Sequence, residues 1–346
     1  MSAASQVRRR RPLAVSMGDP AGIGPEITLR AWLERHEHGI APFVLFGDRE
    51  TLAERARRFS LSVPIVAVSS PAEAVDAFGA ALPVLHTPLH VPSRAGIGDV
   101  ANREAIIGAI DAATAAVVRG EAAAIVTNPI AKHVVLADDF PFPGHTEFLA
   151  ALAERHYGRS YRSVMMLAGG GLRVVPLTVH CALGSVPKAI TRPLIFETVR
   201  ITYAALKRDF GIAAPRIAVT GLNPHAGEEG TMGREEIETI APAIADLRAE
   251  GLSVTGPHPA DTLFHAAARR GYDAVVAMYH DQALIPLKTL AFDEGVNVTL
   301  GLPFVRTSPD HGTAFDIAAE GRASPVSLIA ALKLAANIAA ARAASP

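Results

Sequence analysis

Residues 13–27 read Leu-Ala-Val-Ser-Met-Gly-Asp-Pro-Ala-Gly-Ile-Gly-Pro-Glu-Ile. The apolar start of this stretch predicts a β-strand over residues 13–17, because a short continuous apolar run is typical of a strand buried on both faces. A helix is expected to follow, since Pro25 suits the first helical position. The glycine-rich turn between them lacks the Gly-Lys-Ser/Thr ending of a P-loop and does not match Gly-x-Gly-x-x-Gly. On its own it therefore indicates only a tight strand-to-helix turn.

Strands and helices continue to alternate along the chain. Further strands are predicted at residues 43–46, 123–126, 173–179, 216–220 and 273–278. Helices are predicted at residues 103–119, 192–210, 235–249 and 326–343. This order indicates βαβ units and therefore an α/β fold with a largely parallel sheet. The hydrophobic content of 49% agrees, because strands covered on both faces are apolar throughout.

Length and composition limit the classes of protein that remain. A chain of 346 residues suits two domains, because single domains mostly have about 100–200 residues. The 33 basic and 34 acidic residues give a net charge of −1, which offers no broad basic surface for nucleic acid or an anionic membrane. The single cysteine, Cys181, excludes an internal disulfide and fits a reducing cytoplasm. Residues 1–12 are expected to form a disordered basic tail, and no uninterrupted apolar stretch predicts a membrane span.

Three apolar runs end at or just before a histidine, namely His180, His225 and His280. In open α/β sheets the ligand crevice lies beyond the carboxyl ends of the strands. Three imidazoles delivered there would form an open catalytic metal site with positions left for substrate or water. Each histidine alone fits equally well a strand-end residue that bonds to the backbone. The separations of 45 and 55 residues (180 to 225 and 225 to 280) are too long for a local metal motif, so both interpretations stay open.

Two further segments have the character of binding loops. Lys288 and Arg306 lie near predicted turns and suit a phosphate or carboxylate, although each is equally compatible with a surface cation. Residues 309–318 read Pro-Asp-His-Gly-Thr-Ala-Phe-Asp-Ile-Ala, and Asp316 in this segment would accept hydrogen bonds from a ribose. The alternative is a loop that packs on the terminal helix.

Six ordered motifs together resemble the 4-hydroxythreonine-4-phosphate dehydrogenase family, over nearly the whole chain after the basic tail. They are Met17-Gly-Asp-Pro-Ala-Gly-Ile-Gly-Pro-Glu-Ile27, Gly144-His-Thr-Glu-Phe148, Asn223-Pro-His-Ala-Gly-Glu228, Pro259-Ala-Asp-Thr262, Tyr279-His-Asp-Gln282 and Thr307-Ser-Pro-Asp-His-Gly-Thr313. The resemblance implies an α/β subunit of two α/β/α lobes, of the isocitrate and isopropylmalate dehydrogenase type, with a cleft between them. It also implies a homodimer with a shared active site.

The resemblance further implies how the chain is divided. Residues 13–140 and 300–346 are expected to form a cofactor-side domain, and residues 141–299 a domain for substrate, metal and dimer contacts. The family analogy makes His180, His225 and His280 the ligands of one divalent ion (zinc, magnesium or cobalt), with one ligand from the partner subunit.

The remaining site residues also follow from the resemblance. Those matching substrate-binding positions are His145, Thr146, Lys288, Asn297 and Arg306. Those matching the adenosine-binding loop of the wider dehydrogenase group are His311, Gly312, Asp316 and Ile317. In that group an Asp-Ile pair goes with NAD, whereas a basic residue at the Asp position goes with NADP. The general base is open, and Asp261 and Asp281 are candidates because they are close in sequence to site residues.

The expected activity is NAD-dependent, metal-assisted oxidation of 4-hydroxythreonine 4-phosphate to a 3-keto acid, followed by decarboxylation. The chain departs from the family pattern after the first histidine, where it has His180-Cys-Ala-Leu in place of the common His-Leu-Pro-Leu. This departure leaves open a four-carbon sugar-acid phosphate (erythronate or threonate 4-phosphate) or a ring diol as substrate. Two rivals outside this chemistry are a metal-dependent hydrolase or aldolase, and a sugar-phosphate sensor that binds without turnover.

Overall fold

The computed structural model describes residues 11–135, 142 and 144–344. Its contacts divide the chain into two units. Unit 1 contains Met1–Leu152 and His311–Ala336, and unit 2 contains Ala153–Asp310 and Asn337–Pro346. From the sequence, the corresponding changes were expected at 140/141 and 299/300. The first of those positions and residues 1–10 of the expected basic tail lie outside the described residues.

Helices and strands alternate along the described chain. The strands are β1 (Leu13–Ser16), β2 (Phe43–Gly47), β3 (Ile65–Ala67), β4 (Leu82–His86), β5 (Ile125–Thr127), β6 (Val164–Gly169), β7 (Leu172–Thr178), β8 (Arg216–Thr220), β9 (Ser253–His258), β10 (Ala274–Tyr279), β11 (Val296–Leu300) and β12 (Arg306–Pro309). The helices are α1 (Gly24–Leu33), α2 (Arg49–Arg58), α3 (Pro71–Ala77), α4 (Arg103–Val118), α5 (Lys132–Val135), α6 (His145–Tyr157), α7 (Val186–Ala189), α8 (Arg192–Arg208), α9 (Ala241–Ala249), α10 (Ala266–Arg269), α11 (His280–Ala291) and α12 (Val326–Ala344).

Unit 1 contains a parallel sheet with the strand order β3-β4-β2-β1-β5. All residues of β1 and β2 are buried, which explains why these strands are apolar throughout. Helix α4 packs against both of them. The predicted strands at residues 13–17, 43–46 and 123–126 are confirmed. Strands β3 and β4 were not predicted, because β3 has only three residues and Pro83 interrupts β4.

Unit 2 contains a mixed sheet with the strand order β12-β11-β6-β7-β10-β8-β9. Strands β7, β10, β8 and β9 pair in parallel, in agreement with the predicted largely parallel sheet, although β9 was not predicted as a strand. Strands β6, β11 and β12, which were not predicted, pair antiparallel. The reason for β6 is the turn that joins it to β7: Gly170 and Gly171 both have positive φ and permit a hairpin, whereas a parallel pair needs a long crossover. The protein therefore has a mixed α/β fold.

Helix α12 is long and apolar enough to cross a membrane by length and composition alone, with a mean hydropathy of 1.5. Within the described chain, however, Leu328, Leu332 and Ala335 of this helix are completely buried. Its Arg342 is paired with the buried carboxylate of Asp209. These contacts are those of a core helix in a folded protein, as the sequence analysis expected for this segment.

Asp209 is the buried centre of a charged group in unit 2. Its carboxylate accepts hydrogen bonds from Nε of Arg208 and Nε of Arg342, both at 2.6 Å, and its side chain is 2% exposed. Burial by itself would raise the pKa of this carboxyl. The two arginines outweigh it and hold the pKa below the usual value of 3.8. The ionised form is therefore favoured in the folded chain.

Replacing Asp209 with alanine is expected to lower the free energy of unfolding by about 3 kcal/mol at pH 7, because Arg342 then loses its counter-charge in a mostly buried position. Since the folded pKa is lowered, this stabilisation is present above the unfolded pKa and is lost as the pH falls through the folded pKa. Urea unfolding at several pH values measures both effects. The control is Asp246→Ala, which breaks an exposed pair with Arg192 and should cost less than about 1 kcal/mol. Equal losses for the two variants would contradict the prediction.

Candidate functional site

His180 and His280 lie side by side because the strands that precede them are neighbours. Strands β7 and β10 pair in parallel with Thr178 opposite Tyr279. The hydroxyl of Thr178 donates to the carbonyl of Met278 at 2.8 Å and ties the two strand ends together. The two imidazole rings are consequently 5.9 Å apart between centroids. Two of the three predicted metal ligands are therefore brought together.

Both histidines are held in defined orientations. His280 begins α11, and its Nδ1 lies 2.7 Å from Oδ1 of Asp281. A carboxylate on one ring nitrogen fixes the ring and leaves the other nitrogen for a ligand, as in many metal sites. His180 has a φ of 35°, a region that residues other than glycine rarely adopt and that is often found at functional sites. A cavity of about 290 Å³ opens here and is lined by both histidines, Cys181 and Asp281.

His225 does not join this pair within one chain. It lies after β8 in the segment Pro224–Gly230, where consecutive residues have positive φ, and its side chain is 63% exposed. Glu236 fixes the start of the segment by accepting the backbone N–H groups of Leu222 and Asn223, each at 2.8 Å. Among residues 11–135, 142 and 144–344, no three His, Cys, Asp or Glu side chains converge as a metal site. The structure therefore shows His225 as an exposed side chain on a well-braced loop.

A second polar group lies on one face of the hairpin formed by β11 and β12. Asn297 is opposite Ser308, and Val298 is opposite Thr307. Because side chains alternate along a strand, Asn297, Thr299 and Arg306 point to the same side. Arg306 donates from Nη1 to the hydroxyl of Thr299 at 2.9 Å and is 3% exposed. The buried Oδ1 of Asn297 accepts no hydrogen bond within the described chain, which indicates a place for a donor from a ligand.

Lys288 is anchored beside this face. Its Nζ lies 2.9 Å from Oδ2 of Asp310, the residue after β12, and 5.4 Å from the ring centre of Phe292. Asp310 was not singled out by the sequence analysis, although it stands in the motif Asp310-His-Gly-Thr313. Lys288 follows His280 by eight residues in α11, which corresponds to about 12 Å along the helix axis.

In unit 1 the predicted cofactor loop is built on the glycine-rich turn after β1. The N–H of Ile23 donates to the carbonyl of Thr313 at 3.0 Å. A Cβ on Gly22 would lie 2.9 Å from that carbonyl oxygen, so only glycine allows this approach. Ala314 has a φ of 44°, and Asp316 is exposed. His311 and Gly312 are joined by a 3.0 Å contact between Nδ1 and the carbonyl oxygen.

A third segment supports the same loop. The N–H of Gly96 donates to the carbonyl of Ala21 at 2.8 Å. A Cβ on Gly96 would lie 2.8 Å from the carbonyl oxygen of Phe315, whose ring packs edge-on against His133 at 5.8 Å. Sequence reasoning missed this contribution, because residues far apart in the chain and without a shared motif supply it. The glycine-rich turn after β1, whose motif alone did not indicate a ligand, is thus the platform that supports the predicted cofactor loop.

The same turn contains a buried carboxyl. Asp19 is 1% exposed, and its Oδ1 accepts the N–H of Ala21 at 2.9 Å. Burial raises the pKa of Asp19, while the Ala21 N–H and the charge of His133 act against that rise. This hydrogen bond closes the turn on itself and so helps to set its shape.

The structure also locates the remaining predicted residues. His145 and Thr146 are half-buried in the first turn of α6, in unit 1. Asp261 is exposed in the short 3₁₀ turn Ala260–Thr262 of unit 2. Asp281 contacts His280 and is otherwise largely exposed. Of the two base candidates, only Asp281 touches another predicted site residue through a hydrogen bond of the described chain.

Known proteins match the chain over nearly its whole length. Residues 39–335 match the family described as Pyridoxal phosphate biosynthetic protein PdxA. A 4-hydroxythreonine-4-phosphate dehydrogenase of Methylorubrum populi is 57% identical over 95% of each chain. The crystal structure of a 4-hydroxythreonine-4-phosphate dehydrogenase from Klebsiella pneumoniae is 40% identical, covers 95% of this chain and 99% of its own, and has a TM-score of 0.84. A terephthalate 1,2-cis-dihydrodiol dehydrogenase from Burkholderia xenovorans is 30% identical over 95% and 98%, with a TM-score of 0.63.

The fold and these relatives define an enzyme of the dehydrogenase class, an oxidoreductase that acts on a CH–OH group. The chain belongs to the PdxA family of pyridoxal phosphate biosynthetic proteins. The resemblance inferred from the six motifs is confirmed.

Proposed function

We propose that this enzyme oxidises 4-hydroxythreonine 4-phosphate with NAD and the help of a divalent metal ion. NAD would accept hydride from the hydroxyl-bearing carbon, and a base of the protein would take the hydroxyl proton. The resulting 3-keto acid then loses carbon dioxide to give 3-amino-2-oxopropyl phosphate. The observation that carries the proposal is the 57% identity to a dehydrogenase of this name over 95% of both chains. The enzyme would act in pyridoxal phosphate biosynthesis, in the cytoplasm.

The proposed metal ligands are His180, His225 and His280. The donor set suits zinc or cobalt, because neutral imidazole binds both well and three ligands leave positions for substrate. Magnesium, the third ion implied by the resemblance, prefers oxygen ligands and fits three imidazoles less well. The 5.9 Å between the rings of His180 and His280 fits the about 5–6 Å expected for two imidazoles on one ion. His225, exposed on its braced loop, would complete the set across a homodimer. When bound, the ion would lower the pKa of the substrate hydroxyl.

The protein's own residues would hold and orient the substrate. Arg306, Lys288 and Asn297 in unit 2 offer two cations and an unpartnered amide oxygen, a set that suits a phosphate with an adjacent donor group. His145 and Thr146 are proposed to add contacts from the start of α6. Asp281 would orient His280, which leaves Asp261 as the candidate for the base. In this proposal the subunit has two α/β/α lobes, with the reaction in the cleft between them.

The loop of residues 311–317 is proposed to bind the adenosine part of NAD through His311, Gly312, Asp316 and Ile317. Its support is the platform described above, which holds the backbone of Thr313 and Phe315 while Asp316 stays exposed. An exposed carboxylate on a fixed backbone can accept both ribose hydroxyls and repels an added phosphate.

The enzyme is expected to prefer NAD over NADP by at least about tenfold in kcat/KM, because one like-charge contact of about 1.4 kcal/mol has that effect. Asp316→Ser should reduce this preference. Glu320→Ser, which removes an acidic residue four positions further along the chain, should leave the preference unchanged and serves as the control. Steady-state rates with both cofactors measure the ratio. A wild-type preference for NADP would mean that the loop has a different role.

The direct test of the proposal is turnover of 4-hydroxythreonine 4-phosphate with NAD and each of the three metals, followed by NADH absorbance and by detection of the amino ketone phosphate. Production of NADH together with this product supports the proposal. Product formation without NAD would instead favour a metal-dependent hydrolase or aldolase. Binding of the substrate without any turnover would favour a sensor.

A second candidate substrate class is supported by two observations. The relative from Burkholderia xenovorans, named for a ring cis-dihydrodiol, shares the fold at 30% identity. In addition, Cys181 and Ala182 replace the common Leu-Pro beside the first histidine and line or adjoin the cavity there. The same assay with erythronate and threonate 4-phosphates and with a cis-dihydrodiol separates the alternatives by kcat/KM. The higher identity to the phosphate-acting relatives favours the phosphorylated amino acid.

A further inference from the structure

We propose that Asp310 is a positioning residue that holds the ammonium group of Lys288 in place for the substrate phosphate. The inference rests on the proposed function, because Lys288 is assigned there to the substrate. Asp310 has no role in that assignment. Its carboxylate is the one acidic group that the described chain places in an ion pair with Lys288.

The contact has the geometry of a fixed pair. Nζ of Lys288 lies 2.9 Å from Oδ2 of Asp310 and 3.4 Å from its backbone carbonyl oxygen. An ammonium group has three N–H donors, so these two acceptors leave one for a ligand. The ring of Phe292, 5.4 Å away, covers another side of the group. Lys288 is therefore paired with Asp310 while its side chain remains 34% exposed and accessible to a ligand.

Asp310 itself is well placed to act as an anchor. Its side chain is only 13% exposed. It follows directly after β12, which also carries Arg306, and it packs against the backbone of Gly295 before β11. A Cβ on Gly295 would lie in van der Waals contact with Asp310, 3.5 Å from its Cβ and from its Oδ2, so the carboxylate lies beside that glycine. The anchor thus belongs to the same hairpin whose polar face holds Asn297 and Arg306.

Two opposite effects of Asp310 can be separated. If the carboxylate mainly competes with phosphate for the ammonium, its removal strengthens substrate binding. If it mainly fixes a flexible side chain that must otherwise be ordered at binding, its removal weakens binding. Ordering one long side chain corresponds to about a 3- to 10-fold change in affinity. We place the second effect above the first, because Lys288 keeps a free donor while it is paired.

The test compares Asp310→Asn and Asp310→Glu with the wild type in turnover of 4-hydroxythreonine 4-phosphate. Asp310→Asn should raise KM for this substrate about 3- to 10-fold, while kcat and the KM for NAD change less than about twofold. Asp310→Glu should recover most of the loss, because it keeps the charge. Asp293→Asn, which removes an exposed carboxylate next to Phe292, is the matched control and should behave as wild type. In a Lys288→Ala background, Asp310→Asn should add no further increase in KM.

The other possible results of this experiment contradict either the proposed function or the positioning role of Asp310. A wild type that does not turn over this substrate refutes the proposed function, and the positioning role with it. An active wild type with unchanged or lowered KM in Asp310→Asn refutes the positioning role alone. Parallel losses in KM, kcat, NAD affinity and thermal unfolding temperature in both Asp310 variants would show a structural role and would also overturn it.

Discussion

Replacing His280 with alanine is expected to reduce turnover by at least about 10³-fold, because metal activation of the hydroxyl contributes several kcal/mol and each 1.36 kcal/mol is a factor of ten. The centroid of its imidazole ring is 5.9 Å from that of His180, and no group of three His, Cys, Asp or Glu side chains in the described chain is arranged to hold a metal in its place. The variant should also lose bound metal after dialysis while its urea unfolding stays close to that of the wild type.

Two further variants test whether the effect of His280→Ala is specific to the proposed metal site. Asp281→Asn keeps the imidazole but weakens its orientation through Nδ1, and should reduce metal affinity about 10- to 100-fold. His156→Ala removes an exposed histidine of α6 and should change neither metal content nor rate. Full metal retention and full activity of His280→Ala would mean that the pair at the ends of β7 and β10 is not a metal site.

Replacing Arg306 with methionine is expected to weaken binding of the phosphorylated substrate by about 1.5–3 kcal/mol, the usual contribution of a hydrogen bond to a charged group. The net charge of −1 provides no general attraction for an anion, so the contact must be local. NAD affinity should barely change. With 4-hydroxythreonine lacking the phosphate, the wild type and the variant should differ little, and the four measurements together isolate the contact between Arg306 and phosphate.

The burial of Arg306 requires a control for folding. The guanidinium is 3% exposed and donates to Thr299, so its removal also deprives that hydroxyl of a partner. Thr299→Val removes the same hydrogen bond while leaving the cation in place, and should affect the two substrates equally. An equal loss for both substrates in Arg306→Met would assign Arg306 to the carboxylate or to the fold instead of the phosphate.

The sequence predicted those parts of the fold that depend on local pattern. The apolar runs before His180 and His280 are buried strands, and the parallel pairing of β7 and β10 brings these two residues together as expected from the edge of an α/β sheet. The strands missed include the three-residue β3 and β4, which contains Pro83, and also β6, β9, β11 and β12 of unit 2. The antiparallel pairing of β6, β11 and β12 depends on turn geometry and on long-range partners, which periodicity does not encode.

Long-range contacts also limited how much of the candidate site could be predicted from the sequence. Lys288 and Arg306 were found because they are cations near predicted turns, but the partner that fixes Lys288 is 22 residues away, and a separation of that length has no local pattern. The contacts of Gly22 and Gly96 with the loop at residues 313–315 join three distant segments. His225 also follows an apolar strand, but within the described chain it stays exposed and apart from the other two histidines, and the resemblance implies that one ligand comes from the partner subunit.

The platform beneath residues 313–315 also bears on how cofactor choice can change during evolution. Backbone carbonyls and glycines hold the loop, so its shape does not depend on the side chain at position 316. Mutations at that exposed position can therefore accumulate with little loss of stability, and in the proposed binding mode a single codon change there would alter the charge offered to the ribose. Substitutions at Gly22 or Gly96 would instead disturb the loop itself. Natural variation in cofactor preference is thus expected at position 316, whereas Gly22 and Gly96 are expected to stay unchanged.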